Sequence, residues 1–103
     1  MAKSSGLILS LSGTGTTDYV RLGTGTWVIA MELGGSTIAL EAKAYSERES
    51  SFRAIDFPLQ SGARATTTST DNIIAVTGGL DFRINVSTYS TAGTVTFSAS
   101  SAN

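Results

Sequence analysis

Hydrophobic and polar residues alternate with a period of two along most of the chain, the spacing that sends successive side chains to opposite faces of a β-strand. Residues 26–33, TWVIAMEL, place Trp27, Ile29, Met31 and Leu33 on one face and Val28, Ala30 and Glu32 on the other. Residues 37–45, TIALEAKAY, group Ile38, Leu40, Ala42 and Ala44 against Glu41, Lys43 and Tyr45. Gly34-Gly35 separates these runs, and a Gly-Gly pair between alternating segments predicts a tight hairpin. The same reading applies to LDFRINVS at 80–87, with Leu80, Phe82, Ile84 and Val86 inward against Asp81, Arg83 and Asn85. After the turn TYSTAG, GTVTFSAS completes a second predicted hairpin with Val95, Phe97 and Ala99 inward and Thr94, Thr96 and Ser98 outward.

The remaining runs are shorter. GLILSL at 6–11 and DYVRL at 18–22 read as strands, and GTGT at 13–16 and 23–26 reads as flexible strand connections. SFRAIDF at 51–57 predicts a strand that stops at Pro58, which has no ladder donor. ARATTTST at 63–70 is a polar strand or an edge. NIIAV at 72–76 is apolar on both sides, which predicts a strand between covered faces. Eight or nine short strands at this spacing, without a substantial helix, predict an all-β chain: a single antiparallel β-sandwich of jelly-roll type. One domain over residues 1–103 is expected, with 1–12 an arm or an added strand.

Composition narrows the chemistry. Seven basic and eight acidic residues leave a net charge of −1, scattered along the chain. A nucleic-acid binder gathers its cations on one face, so nucleic acid is not an expected partner. No apolar run approaches the ~20 residues of a membrane-crossing helix, and residues 1–12 lack the apolar core of a signal peptide. Charged residues are only 15%, against a usual ~25%. Ser, Thr and Gly supply the polar surface instead, as in a Thr-rich β domain or in faces that touch other protein.

Catalytic and metal chemistry has little to work with. Histidine and cysteine are absent, which removes the commonest general base and the usual zinc and copper ligands. A serine–lysine pair would have to use Lys3 or Lys43, one in the terminus and one on an outward strand face. Glu32 and Glu41 fall on neighbouring predicted strands and could form a glycosidase-like pair, although a solvated face balanced by Lys43 is the plainer reading. Asp18, Asp71 and Asp81 fall near turns without a calcium-loop spacing, and GTGTTD lacks the rest of a phosphate loop. No catalytic residue, metal ligand or cofactor is expected. Among the aromatics, Tyr45 and Tyr89 are the exposed candidates for a sugar platform, whereas Trp27 shares its parity with core residues.

From residue 23 to 99 the order of features is a glycine turn, TWVIAMEL, GGSTIALEAKAY, a charged loop, FRAID, then GGLDFRINVS and AGTVTFSAS. In it Arg83 lies outward between inward Phe82 and Ile84. This order resembles small β-sandwich structural proteins of tailed bacteriophages, including head decoration (cement) proteins and related tail or fibre domains. The resemblance implies a non-enzymatic virion component, made in the host cytoplasm and placed on the capsid exterior. Its partner would be the major capsid protein or another virion protein, bound as a homodimer or homotrimer. The implied contacts are Leu7, Ile8 and Leu9 in the N-terminal segment, Glu47, Arg48 and Glu49 in the loop SERES, Arg64 on the polar edge, and Tyr89 in the turn. Two further readings stay open: a tail or fibre accessory protein, and a module that binds host-surface glycan.

Overall fold

The computed structural model describes residues 7–59 and 61–99; of the predicted arm or added strand at 1–12, residues 1–6, with Lys3, lie outside them. The chain runs through twelve short strands: β1 (Leu7–Leu11), β2 (Gly15–Thr16), β3 (Val20–Leu22), β4 (Thr26–Glu32), β5 (Thr37–Lys43), β6 (Arg53–Ala54), β7 (Phe57–Pro58), β8 (Arg64–Ala65), β9 (Thr67–Thr68), β10 (Asn72–Thr77), β11 (Leu80–Thr88) and β12 (Gly93–Ala99). One 3-10 turn, Glu49–Ser51, is the sole helical segment among the described residues. Sheet I has the order β1-β12-β4-β10, and in sheet II β2 and β3 flank β11, which pairs β5, which pairs β6 and β9. Every pairing in both sheets is antiparallel. β7 and β8 form a small antiparallel sheet of their own; setting it aside, and counting β2 with β3 and β6 with β9 as interrupted single strands, leaves eight positions. Sheet I then reads first-eighth-third-sixth and sheet II second-seventh-fourth-fifth, the order of a double-sheet jelly roll.

Neither predicted hairpin is a hairpin. β4 pairs β12 and β10, whereas β5 pairs β11, so the Gly34-Gly35 turn carries the chain from one sheet to the other. The turn itself is as expected: Gly34 and Gly35 have φ of 60° and 87°, and the Ser36 amide donates to the Leu33 carbonyl at 3.0 Å. β11 and β12 are likewise joined across the sandwich. Alternation cannot separate the two outcomes, because a strand buries the same side chains whether its partner is the next strand or one fifty residues away.

The two crossings lock onto each other. Buried Ser36 accepts the Ser90 amide at 2.8 Å, and the Thr91 hydroxyl donates to the Gly34 carbonyl at 2.7 Å. At the far end of the sandwich, the amides of Gly78 and Gly79 donate to the carbonyls of Gly25 and Leu22 at 2.7 and 2.8 Å. A Cβ at Gly78 would collide with the Gly23 carbonyl and the Trp27 ring, so that close approach requires glycine.

Between the sheets lies one apolar cluster that includes Leu11, Ile29 and Phe97 from sheet I and Leu22, Leu40 and Phe82 from sheet II. Phe82 and Phe97 meet across it with ring centroids 6.5 Å apart. Each such fully buried side chain contributes about 1.5–3 kcal/mol. Trp27 belongs to this cluster, its indole N–H donating to the Gly23 carbonyl at 2.9 Å.

Several local expectations are corrected. NIIAV is an edge strand with one open face: Ile74 is buried but Ile73 is 57% exposed. SFRAIDF is no single strand but is broken into the 3-10 turn, β6 and the start of β7; as expected, the last of these stops at Pro58. Residues 13–16 are only in part a connection, since Gly15 and Thr16 pair with Val86 and Asn85. Ala44, just past the end of β5, and Ala99, the last residue of β12, are predicted inward but are exposed, because the apolar cluster between the sheets does not extend to them.

Candidate functional site

The outer face of sheet II carries a charge network that the sequence reading treats as solvated. Arg21, Asp81 and Lys43 occupy one cross-strand row of β3, β11 and β5. Asp81 has no solvent exposure; Arg21 grips both its oxygens at 2.8 and 3.0 Å, and the Lys43 ammonium lies 2.8 Å from Oδ2. Burial alone would raise the Asp81 pKa, but the bonds and charges of Arg21 and Lys43 outweigh it and hold the carboxyl below its ordinary range. Lys43, 5% exposed, also donates to the carbonyls of Ala44 and Tyr45 at 3.2 and 3.4 Å. In the next row Arg83 donates to Glu41 at 2.7 Å, and Asn85 reaches the other Glu41 oxygen at 3.1 Å.

Loop 44–52 folds over this network. Phe52, buried on the outside of the sheet, lies 4.3 Å from the Arg83 guanidinium and 5.5 Å from the Lys43 ammonium. Tyr19 packs against its ring at 5.9 Å. Arg21 stacks over Tyr45 at 4.5 Å, while the Tyr45 hydroxyl donates to the Leu22 carbonyl. Among the described residues, no buried side-chain polar atom lacks a partner. The sheet II face is therefore closed on itself. Asp81 is no turn aspartate but the centre of a strand-borne ion cluster.

Sheet I presents a different outer face. Register sets Ile8, Thr96, Ala30 and Ile73 side by side across all four strands. Ser98, Val28 and Ala75 form the row beside it. Ser10, Thr94 and Glu32 form a third row, which Asp71 extends one step beyond the Asn72–Met31 pair. The strands of this face carry no lysine or arginine, and Ile8 and Ile73 are 53% and 57% exposed. Glu32 and Asp71 line a groove of about 570 Å³ at the end of the sheet with Ser10 and Thr94. A second groove of about 240 Å³ joins the same two carboxylates to Ala30 and Ile73. Asp71 accepts the Leu33 amide at 2.9 Å.

The sequence-derived contact residues divide between these surfaces. Ile8 lies on the open sheet I face, but Leu9 is in the core and Leu7 packs against it, since β1 is an integral edge strand. Glu47 is held by the Ala44 amide and by Arg53 rather than by Arg48, and both contacts lower its pKa. Arg48 and Glu49 are exposed on that loop. Arg64 pairs with Asp56 at 2.6 Å on the small β7–β8 sheet. Tyr89 is 37% exposed at the crossing between β11 and β12.

The structure does not unite these residues into one site. Glu32 and Glu41, expected on neighbouring strands, lie on different sheets, and Glu41 is held by Arg83. Among the described residues, no cluster of three or more potential metal ligands occurs. Sequence reasoning misses Ile73 and the Glu32–Asp71 adjacency, because both depend on β10 pairing β4 from forty residues away. Comparison with protein-family models, with curated proteins and with solved structures returned no match.

Proposed function

We propose that this protein is a non-enzymatic structural component of a virus particle, a capsid decoration protein that lies on the major capsid lattice through the outer face of sheet I. The observation that carries the reading is the contrast between a sheet face whose charges pair with one another, Asp81 and Lys43 being buried, and one that is open and has no lysine or arginine on its strands. Charge-poor surfaces suit interface cores, because no ion has to be desolvated without compensation. The jelly-roll strand order agrees with this, since viral capsid and lectin domains use that architecture, although fold by itself does not assign function.

Size decides the mode of binding. Four strands spaced ~4.8 Å apart and about 20 Å long present a footprint of roughly 400 Å². Doubling that for the partner reaches only about 800 Å², below the range of stable one-to-one complexes. A single copy would hold weakly, and a dimer or trimer on a repeating shell would hold by avidity. Each bound copy then favours the assembled shell by mass action.

The test is the solution mass by light scattering, followed by co-sedimentation with tailed-phage capsids stripped of accessory proteins. Saturable binding by a discrete dimer or trimer is the expected result. A monomer that ignores the shells overturns the reading, and binding to isolated tails instead would assign the protein to the tail or fibre.

A further inference from the structure

We infer that the sheet I face docks a different protein, one that lays a small apolar patch over Ile8, Ala30 and Ile73 and sets a single basic side chain between Glu32 and Asp71. This deepens the lattice-binding reading and rests on it for the identity of the first probe. Charge complementarity within the chain carries the inference. Four carboxylates elsewhere have cations: Asp81 with Arg21 and Lys43, Glu41 with Arg83, Glu47 with Arg53, and Asp56 with Arg64. Glu32 and Asp71 are exposed side by side with no ion pair among the described residues, at positions where like charges on adjacent strands cost stability. They are the only charges among the described residues of the three outward rows, and the two grooves they line run from the sheet end to Ile73.

A second copy packed face to face does not complete this arrangement. From the described residues it would add two more carboxylates and no cation, because their six cations lie outside the strands of sheet I, five of them already paired. The occupant is therefore another protein that supplies an arginine or lysine. One such contact at an interface rim adds orientation and on-rate more than affinity.

Two readouts test this. In the first, stripped capsids are titrated at low and high salt with wild type, Ile73→Glu, the double variant Glu32→Gln/Asp71→Asn, and Arg53→Gln, a charge change on the sheet II side, as control. The expected results are at least tenfold weaker binding for Ile73→Glu and about fivefold weaker binding at low salt for the double variant, which also loses salt dependence. Arg53→Gln should bind as wild type. Equal binding by all variants overturns the inference but leaves the lattice reading intact. The second readout needs no shell: ethylguanidinium is titrated into the labelled protein and amide shifts are followed. Saturable shifts at Ala30, Ile73 and Thr94 that vanish in the double variant support the inference even if wild type ignores capsids, and their absence overturns it. A concentration-dependent dimer abolished by Ile73→Glu also overturns it, by making a second copy the occupant.

Discussion

On the outside of sheet II, Asp81 holds two cations with no exposure to water, and Phe52 closes over Lys43 and Arg83. On the outside of sheet I, the central row is Ile8, Thr96, Ala30 and Ile73, with a branched apolar side chain exposed at each margin. Both faces belong to strands of the same period. They differ in what the outward positions carry and in what crosses above them. A buried ion cluster in which every buried polar atom has a partner specifies one arrangement and leaves little for a partner protein to bind. An uncovered row of Ile, Ala and Thr leaves apolar surface whose burial is still available, which is how an interaction face differs from a finished one.

The comparison breaks most visibly at Asp81. Asp81→Ala leaves Lys43 buried without its counter-ion, and the expected loss is about 3–5 kcal/mol in a urea unfolding curve. A loss near zero would mean that Lys43 escapes to solvent and that the sheet II face is not closed. The same carboxyl sets a pH dependence. Its folded pKa lies below the unfolded value of about 3.9, so its contribution is present above roughly pH 4 and falls away as pH drops through the folded value. Unfolding midpoints should be level down to about pH 5 and decline below, and Asp81→Asn should flatten that decline.

A smaller effect is expected where the crossings meet. Ser36→Ala removes the buried acceptor of the Ser90 amide, at a cost of about 1–3 kcal/mol in thermal unfolding. No change there would mean that the two crossings are held by packing alone. Least of all should be felt on the open face: Ile73→Ser should move stability by no more than about 0.5 kcal/mol. A cost above 2 kcal/mol would show that Ile73 belongs to the fold, and the contrast between the faces would fail.

Period-two alternation was enough to read the inward residues of β4, β5, β11 and, Ala99 aside, β12, and the all-β class; the Gly34-Gly35 pair gave away its turn. Composition, without histidine or cysteine, left catalysis by either unavailable. Which strands pair was not legible, because each run alternates identically in a hairpin and in a crossing between sheets, and Ser36, Ser90 and Thr91 meet only after both crossings form. Nor was the fate of the outward charges. Glu41, Lys43 and Asp81 carry the parity of a solvated face, and only the passage of loop 44–52 above them, with Phe52 at its end, removes the water. The sequence by itself determined which side of each strand is buried, since that depends on residues two apart. Tertiary structure decided which neighbour each strand has and which outer face stays open, since both depend on segments brought together from tens of residues away.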